Sequence, residues 1–596
     1  MAPSACLSPY ENLIAMLAAV SAAAPEKPML RAYREGAWRD IRYGEAFARV
    51  QAIAGGLAAL GVQPGDRIAI LSNNRPEWAL ADFGSLAAGA VVVTIYPTLT
   101  ADETAYILKD SGARVVFVED AAQLAKVQAG ALPELSHAVV FEGPGTADGF
   151  ALTLAELEAR DVSGANRLEA TRTSATHATP FSIVYTSGTT GTPKGAVLTH
   201  GNVLETIAAV CKAAEDLIDN FHLNLSLLPL SHVLERFGGH FLPIHQGGTI
   251  AYARSMNTLG EDFAAVRPQF MMVVPRVLEK AYARVMEQVA KLPRGKRKVF
   301  DWALKVGQAY VEAQEFHRPI HFDLALKHTL AERLVFKQLR ARFGGRLDAM
   351  ISGGAPLAPD VARFFWAIGM PVYEGWGLTE TTAPATVNLP GAFRFGTVGR
   401  PLPGVELRIA EDGEICVKGP DVFTGYFGLP AETAEAFEDG YFKTGDIGEV
   451  DADGFLRITD RKKELIVTAN GKKVPPQKVE ALIKARPYIA HAIVMGDRRS
   501  YLVALLTIDR EALAQSHPAL ADFSVDSPEI QALAAEAVAD ANAQLARFEQ
   551  IKRYTVLEGD FTPENGQLTI TLKPKRRVIE ARHREAIAAM YSEESP

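Results

Sequence analysis

The sequence predicts an α/β fold, because helical patterns alternate with short, β-branched strands through most of the chain before Gly404. Examples of such strands are Arg67–Leu71, Ala113–Val118 and residues 270–274. This alternation is typical of layered, largely parallel sheets that are covered by helices. After Gly404 the pattern changes to short strands separated by Gly and Asp turns, as at residues 413–418. A chain of 596 residues exceeds what one hydrophobic core can hold, so we expect at least two domains.

The domain boundary is expected at the charged segment Asp460-Arg-Lys-Lys-Glu464, beyond which a smaller α+β unit should follow. We therefore predict a large N-terminal domain of layered sheets and helices over residues 1–460 and a C-terminal domain over residues 461–596. Residues at about 279–343 are helical in pattern, lack strands and are dense in charge, which indicates a helical insertion in the N-terminal domain.

Two apolar stretches could be mistaken for targeting or membrane segments. The run at residues 13–24 follows Glu11 and has no Lys or Arg before it, so it lacks the charged start of a signal peptide. It predicts an amphipathic opening helix. The longest uncharged run, at residues 83–101, is rich in small residues and breaks at Pro97, which predicts a buried helix followed by a buried strand. We expect no transmembrane segment.

Composition excludes some function classes. The formal net charge of −8 argues against general nucleic-acid binding, which favours a basic domain or face. The three cysteines, Cys6, Cys211 and Cys416, are far apart and odd in number, so they suggest neither a disulfide framework nor a metal site. A reducing, cytoplasmic compartment is therefore expected.

The segment 185–195, Tyr-Thr-Ser-Gly-Thr-Thr-Gly-Thr-Pro-Lys-Gly, follows a strand-like apolar run and is the most informative motif. Its glycines allow close backbone approach, its amides and hydroxyls form an anion-binding concavity, and Lys194 adds charge suited to phosphate. Gly195 follows this lysine, so the loop is not a Walker A motif; a flexible turn is the alternative interpretation. The predicted phosphate-binding residues are Thr186, Ser187, Gly188, Thr189, Thr190, Gly191 and Lys194.

This loop resembles the phosphate-binding signature of AMP-forming, acyl-adenylate synthetases, the superfamily of acyl-CoA synthetases, luciferases and peptide-synthetase adenylation domains. Further motifs follow in the order of that family and extend the resemblance over essentially the whole chain. The resemblance implies that the bound nucleotide is ATP. It also implies that the smaller C-terminal domain is mobile and turns about a hinge.

Two further segments are predicted to surround the adenine and a metal ion. Small residues at 352–356 leave room for a flat ring, and in similar proteins this turn borders the adenine, although such turns are also common as structure alone. In Tyr373-Glu-Gly-Trp-Gly-Leu-Thr-Glu380 the glycines free Trp376, where the family most often has Tyr, to stack on a purine. Glu380 offers a hard oxygen ligand for Mg²⁺; an ordinary core-and-surface pair is the alternative. The assigned ATP-binding residues are Gly353, Gly354, Ala355, Glu374, Gly375, Trp376, Gly377 and Thr379, and the assigned Mg²⁺ ligands are Glu380 and Thr186.

The predicted ribose site and hinge lie close together in sequence. In resembling enzymes the positions of Asp446 and Arg461 hold the ribose, and the spacing here matches, although Thr-Gly-Asp alone is a frequent turn. Lys462 and Lys463 fall at the family's interdomain hinge, and the position of Lys463 can also reach the nucleotide. Without the resemblance, two adjacent lysines would indicate only a solvated surface.

Two residues are assigned to the reacting groups. The segment Leu568-Thr-Ile-Thr-Leu-Lys573 resembles the final adenylation motif of long-chain acyl-CoA synthetases, so Lys573 is chosen as the catalytic lysine over its neighbour Lys575. The form Pro-Leu-x-His-x-x-Glu-Arg resembles the same group and places His232 beside the substrate carboxylate and the phosphates. The predicted catalytic residues are Lys573, His232 and Glu380.

The resemblance therefore implies a long-chain fatty acyl-CoA synthetase that uses a fatty acid, ATP and CoA with Mg²⁺. The alternatives are a ligase that loads an acyl-carrier protein and a catalytically silent nucleotide- or lipid-binding homologue. Family members include dimers, so a homodimer is allowed. A basic cluster suggests peripheral contact with anionic lipid at the inner face of the membrane, although most such runs are only solvated surface. The cluster consists of Lys291, Arg294, Lys296, Arg297 and Lys298.

Overall fold

The computed structural model describes residues 8–161, 163–186, 192–218, 221–462, 464–469, 472–562, 565–568 and 574–592. It confirms the α/β class, with a large N-terminal body of layered sheets and helices and a smaller α+β unit at the C-terminal end. The opening helix, Leu13–Ala23, and the buried helix and strand within residues 83–101 are also confirmed. The expected amphipathic character of the opening helix is wrong, since it has no charged residue and exposes mainly alanine.

The described residues form a first sheet of eight strands, six of which run parallel. Its central strands are almost continuously buried and apolar, as expected where helices cover both faces of a parallel sheet. In spatial order the strands are Gly425–Tyr426, Lys194–Thr199, Pro180–Thr186, Val91–Ile95, Arg67–Leu71, Ala113–Val118, His137–Val140 and Ala151–Thr153.

A second sheet has nine strands among the described residues, again with six parallel strands and antiparallel strands at both edges. The carboxyl ends of parallel strands are where ligands bind in open α/β sheets. In spatial order the strands are Arg400–Pro401, Thr386–Val387, Val372–Trp376, Ala349–Ser352, Phe270–Val273, Leu223–Ser226, Thr249–Tyr252, Pro28–Arg34 and Ala37–Arg42.

The rest of the described chain forms smaller sheets. The antiparallel sheet that follows residue 404 contains Glu406–Ile409, Glu414–Lys418, Phe437–Glu438, Tyr441–Val450 and Leu456–Arg461. The C-terminal unit contains the hairpin strands Ile466–Val467 and Lys473–Val474 and the three-stranded sheet of Ile489–Met495, Leu502–Ile508 and Ile551–Val556. This unit has an apolar core of its own, built around these strands and the helix Pro528–Asn542.

Helices cover the faces of these sheets. In the described N-terminal part they are Leu13–Ala23, Tyr43–Ala59, Pro76–Ala87, Ala101–Ser111, Ala121–Gln128, Leu154–Glu158, Gly164–Ser174, His200–Ala213, Glu215–Ile218, Val233–Glu235, Arg236–Phe241 (a π-helix), Leu242–His245, Leu259–Val266, Pro275–Ala290, Arg294–Glu315, Phe322–Ala331, Glu332–Phe336 (a π-helix), Lys337–Ala341, Pro359–Ala367, Thr379–Thr381 (a 3₁₀-helix) and Pro430–Ala436. In the described C-terminal part they are Pro476–Ile483, Arg510–Ser516, Pro518–Leu520 (a 3₁₀-helix), Pro528–Asn542, Arg576–Arg582 and Arg584–Ser592.

The predicted helical character of residues 279–343 is confirmed, since helices occupy most of this segment from Pro275 to Ala341. Among the described residues, none of the helices combines the length and the hydropathy that crossing a bilayer requires.

The two large sheets are joined by a core that contains a buried ion pair. The helix Pro76–Ala87 carries Asp82, whose carboxylate accepts hydrogen bonds from the Arg236 guanidinium at 2.5 and 3.1 Å. Arg236 also donates to Ser182 Oγ at 2.5 Å, and His240 Nε2 lies 3.4 Å from Asp82. Burial alone would raise the pKa of Asp82, but Arg236 holds it below its ordinary value. Because Ser182 lies on the first sheet, the pair fixes the π-helix Arg236–Phe241 to that sheet.

We predict that Arg236→Met destabilises the protein by about 3 to 5 kcal/mol, because it leaves Asp82 charged, buried and without its cation. The surface ion pair of Arg31 and Asp40, 2.6 Å apart, provides the control. Arg31→Met should cost less than about 1 kcal/mol. Chemical denaturation of both variants measures the difference, and equal losses of stability would contradict the assigned role of Arg236.

Candidate active site

A cavity of about 1390 Å³ lies between the N-terminal body and the C-terminal unit. It is lined by every predicted site residue that the structure describes: Thr186, Lys194, His232, Gly353, Gly354, Ala355, Glu374, Gly375, Trp376, Gly377, Thr379, Glu380, Asp446, Arg461 and Lys462. The predicted residues Ser187, Gly188, Thr189, Thr190, Gly191, Lys463 and Lys573, and also Cys6, lie outside the described residues. The motifs were scattered over most of the chain, and folding brings them together.

The phosphate-loop motif begins and ends on two antiparallel strands of the first sheet. Thr186 ends one strand, Lys194 begins the next, and the two residues are paired in register. The Lys194 ammonium lies 5.3 Å from the ring centre of Tyr426, a cation–π contact. Tyr426 OH in turn donates to Glu380 Oε1 at 3.0 Å. Tyr426 therefore connects the predicted phosphate lysine to the predicted metal carboxylate.

Sequence reasoning missed Tyr426, since nothing in the pattern around it distinguishes it from other aromatic residues. Its position comes from strand pairing, because Gly425–Tyr426 adds to the strand Lys194–Thr199 at the edge of the first sheet. This pairing, between segments more than two hundred residues apart, brings the tyrosine to the cavity.

Glu380 is a partly buried carboxylate in the turn Thr379–Thr381, just after the strand Val372–Trp376. Burial raises its pKa, and nearby Asp446 adds to this effect, whereas Tyr426 and Arg461 oppose it. A carboxylate in this environment would be stabilised by a cation. Within the described ranges, no three His, Cys, Asp or Glu residues are grouped to hold a metal ion. Any metal here would therefore depend on phosphate and water oxygens as well as on Glu380.

The predicted ribose residues are held by hydrogen bonds. Asp446 and Arg461 face each other on neighbouring strands, and Arg461 Nε donates to Asp446 Oδ1 at 3.0 Å. The indole Nε1 of Trp376 donates to Asp446 Oδ2 at 2.8 Å. Trp376 was predicted to stack on a purine, and that role stays a prediction. In the structure its indole also orients the carboxylate of Asp446.

Two glycines of the predicted adenine wall are required, one by its backbone conformation and one by close packing. Gly354 has a φ of +82°, which favours glycine. A β-carbon at Gly377 would lie 1.8 Å from the carbonyl oxygen of Ala383, so no other residue fits there without backbone movement. Both glycines lie just beyond the carboxyl ends of two neighbouring parallel strands and line the cavity.

Glu374 lies in the same wall and is 7% exposed. Its Oε1 accepts a long hydrogen bond, 3.4 Å, from the backbone N–H of Leu357. Burial raises the pKa of Glu374 to about 8, so the side chain is mainly protonated at neutral pH. It therefore adds no full negative charge to a site that is expected to bind an anionic nucleotide.

His232 is half-buried at the start of the short helix Val233–Glu235. Its Nδ1 accepts the backbone N–H of Leu234 at 3.1 Å, which fixes the orientation of the ring. The other two polar residues of its motif, Glu235 and Arg236, are buried behind the cavity wall. Arg236 holds the wall in place through its hydrogen bonds to Asp82 and Ser182, whereas His232 lines the cavity.

Lys462, one of the predicted hinge residues, is held by two carboxylates. Its ammonium lies 2.6 Å from Asp412 and 2.6 Å from Glu414, and hydrogen bonds to both raise its pKa. Glu414 also accepts the backbone N–H of Gly445 at 2.9 Å. The chain therefore leaves the N-terminal body at a point that is tied electrostatically to that body.

The C-terminal unit also contributes to the lining of the cavity. Leu568, Pro574 and Lys575, which lie close in sequence to the predicted catalytic Lys573, line the cavity. Arg576 follows them and is anchored to Glu480 through hydrogen bonds of 2.6 and 2.7 Å. The two parts are joined by the Arg276–Asp509 ion pair, with the guanidinium 3.3 Å from the carboxylate.

Comparison with known proteins identifies the class. Residues 17–427 match the AMP-binding enzyme family, and residues 463–595 match the AMP-binding enzyme C-terminal domain. The chain therefore belongs to the AMP-binding enzyme family.

Among individual proteins, the chain is similar to the long-chain-fatty-acid–CoA ligase FadD15 of Mycobacterium tuberculosis, at 37% identity over 98% of each chain. It is also similar to the long-chain-fatty-acid–CoA ligase ACSBG1 of Mus musculus, at 31% identity over 94% of this chain and 83% of that one. The crystal structure of the adenylation domain of a carboxylate reductase from Mycobacterium chelonae shares the fold, with a TM-score of 0.75 at 23% identity, over 98% of this chain and 92% of that one.

We predict that Glu374→Gln flattens the pH dependence of stability between about pH 5 and pH 8. The folded-state pKa is raised from 4.5 to about 8, so over this window the native protein binds a proton that the unfolded chain has lost. Wild-type stability should therefore fall, relative to the variant, by up to about 1.4 kcal/mol for each pH unit of increase. Thermal unfolding across the pH range measures this, with Glu411→Gln on an exposed turn as control. Parallel curves for wild type and Glu374→Gln would rule out the protonated side chain.

Proposed function

We propose that the protein is a long-chain fatty acyl-CoA synthetase. It would join a fatty acid to ATP, giving acyl-AMP and pyrophosphate, and would then transfer the acyl group to the thiol of CoA. The observation that carries the proposal is the cavity itself, in which the nucleotide motifs share a wall with a group of apolar side chains. The family and the full-length similarity to long-chain-fatty-acid–CoA ligases support the same conclusion.

The apolar wall would hold the acyl chain. It is built from the strand Phe270–Val273, the π-helix Arg236–Phe241 and four α-helices. These helices are His200–Ala213, Glu215–Ile218, Val233–Glu235 and Leu242–His245. A fatty acid bound there would bury its methylene groups at a gain of about 0.8 kcal/mol each. The lining residues are Val210, Ala214, Leu217, Ile218, Phe221, Val233, Leu234, Phe237, Gly238, Leu242 and Met272.

Adenylation brings two anions together, so the site must offset their repulsion. A carboxylate oxygen attacks the α-phosphorus of ATP, the bond to the bridging oxygen of the β-phosphate breaks, and pyrophosphate leaves. Lys194 would hold the β- and γ-phosphates, and His232 would lie beside the carboxylate. Lys573 would clamp the carboxylate and the α-phosphate.

Mg²⁺ is part of the proposal. Glu380 fits it, because its burial disfavours an unpaired negative charge, and the hydroxyl of Thr186 is the second candidate ligand. When bound, the ion would neutralise charge on the departing pyrophosphate. Asp446 and Arg461 would fix the ribose and so align the α-phosphate with the acid.

The second step needs a path for a thiol. The sulfur of CoA attacks the acyl carbonyl, the bond to AMP breaks, and the thiol proton passes to solvent. Lys573 is not needed there, so we propose that the C-terminal domain, residues 461–596, turns about Lys462 and Lys463 relative to residues 1–460. The ion pairs of Lys462 with Asp412 and Glu414 would stabilise one of the two domain orientations, the one seen in this structure.

The acceptor and the setting of the enzyme are also proposals. Adding either CoA or an acyl-carrier protein to the enzyme with acyl-AMP distinguishes the synthetase from a carrier-loading ligase. Absence of fatty-acid-dependent exchange of pyrophosphate into ATP would favour a silent homologue.

We place the enzyme in the cytoplasm, with peripheral contact at the inner face of the membrane. A homodimer, which the resemblance allows, would appear as a doubled mass in sedimentation.

We predict that Lys573→Ala lowers fatty-acid-dependent pyrophosphate exchange by roughly a hundredfold or more, since it removes a cation placed where charge develops. Thioester formation from preformed acyl-AMP should be nearly unchanged. Lys575→Ala is the matched control, because Lys575 also lines the cavity but is not assigned to the reaction. Equal loss of both half-reactions in Lys573→Ala would refute its role in adenylation.

We predict that Gly238→Leu shifts the preferred substrate to shorter acids. A β-carbon at Gly238 would lie 2.6 Å from Met272 Sδ and 2.7 Å from Met272 Cε, so a larger side chain takes space from the apolar wall. The kcat/KM for long acids should fall roughly tenfold relative to short acids. AMP release across a chain-length series with ATP, Mg²⁺ and CoA measures the shift and also tests the proposed function. Gly260→Leu, at a position with open space, is the control, and an unchanged series in Gly238→Leu would place the acyl chain elsewhere.

A further inference from the structure

The segment 322–341 forms a helical rod with an exposed apolar face. The helix Phe322–Ala331 continues without a break in helical backbone through the π-helix Glu332–Phe336 into Lys337–Ala341. Along one side, residues spaced four apart keep their side chains in solvent, as same-face neighbours on a helix do. They are Phe322, 83% exposed, Leu326, 61%, and Leu330 and Leu334, both 49%.

The opposite side of the rod is already packed. His328 stacks on Tyr310 of the helix Arg294–Glu315, with ring centres 4.0 Å apart. Phe336 is 1% exposed and lies against Gly307 of the same helix. The inner side of the rod thus packs on the core, whereas the four residues of the outer row are not part of that core cluster. A contiguous row of this kind marks an interaction surface.

The helical segment that carries this row has a strongly positive formal charge as a whole. Twelve Lys and Arg against five Asp and Glu between Lys291 and Arg342 give a formal charge of +7, in a chain whose formal charge is −8. The carboxylates Asp323 and Glu332 are already paired, with Lys327 and Arg340. In the described part of the chain, no carboxylate lies within ion-pair distance of the exposed cations Arg294, Lys296, Arg297, Lys298, Arg333 and Lys337.

These cations lie around and beyond one end of the apolar row. The two helices run antiparallel, since Tyr310 contacts His328 and Gly307 contacts Phe336. At 1.5 Å per residue, the cluster at 294–298 lies about 14 to 20 Å from Gly307 in the direction of the rod's C-terminal end. A second copy docked face to face with the two rods parallel would meet this charge with the same charge. An anionic bilayer offers both an apolar interior and complementary headgroups.

We propose that the rod 322–341 and the basic start of the helix Arg294–Glu315 form a surface that docks on anionic phospholipid bilayers. The apolar row would enter the boundary between headgroups and acyl chains, and the cations would lie among the headgroups. This surface would let the enzyme take its fatty acid from the membrane in which the acid partitions, and to that extent the proposal rests on the proposed function. It differs from contact through the basic cluster alone, because the apolar row supplies binding that salt does not screen.

The test is co-sedimentation of the full-length protein with vesicles of phosphatidylcholine alone or mixed with phosphatidylglycerol, without ATP or fatty acid. Phe322→Ser/Leu326→Ser should lower binding to the mixed vesicles by about tenfold or more at every salt concentration. Arg333→Gln/Lys337→Gln should lower it roughly tenfold at low salt and reduce its salt dependence. Phe523→Ser, which removes an exposed aromatic side chain of the C-terminal part, is the matched control and should bind like wild type.

Several outcomes would overturn the proposal. One is wild-type protein that does not bind mixed vesicles at low salt, and another is unchanged binding by Phe322→Ser/Leu326→Ser. A third is a dimer that dissociates in this variant while vesicle binding is unaffected, which would assign the face to a second copy. The substituted side chains are exposed, so unfolding should not interfere, and thermal unfolding checks this. AMP release from a short, water-soluble acid tests the proposed function separately and should be equal in the variant and the wild type.

Discussion

The buried pair of Arg236 and Asp82 is the constraint on which the rest of the site depends. It connects a helix, a strand of the first sheet and the π-helix that forms one wall of the cavity. A buried ion pair contributes little net stability compared with apolar packing, but either partner alone would be strongly destabilising. The arrangement therefore fixes one geometry. With that geometry set, His232 faces the cavity and the apolar wall stands beside the nucleotide motifs.

The candidate site brings positively and negatively charged side chains close together, and a neighbouring side chain orients each of them. Tyr426 lies between Lys194 and Glu380, and Asp446 is held between Trp376 and Arg461. A polyanionic nucleotide would meet oriented partners instead of mobile side chains. Such preorganisation is the usual source of electrostatic catalysis, because the groups need not reorganise as charge develops.

Much of this could be predicted from the sequence, because the information was local. Alternating patterns predicted the strands Arg67–Leu71 and Ala113–Val118 with their observed bounds. Glycine is needed where the backbone must approach a ligand closely, so such positions can be recognised in a sequence motif. Tyr426 could not be predicted, since its position depends on pairing between distant segments. The exposed row at 322–334 was also missed, because an apolar helix pattern does not show which of two faces is buried. The roles of Lys463, Lys573 and the loop at 187–191 stay predictions.

The π-helix Arg236–Phe241 gives the apolar wall of the cavity a property that side-chain chemistry alone does not provide. A π turn contains one residue more than an α turn, so it arises from an α-helix by a single insertion. Losing that residue would rotate the flanking wall positions by about 100° relative to one another. The shape of the cavity could then change because one turn has gained or lost a residue, even if all the other wall residues stay the same. Variation in acyl-chain preference among proteins of this kind could therefore be sought in gaps of an alignment as well as in substitutions.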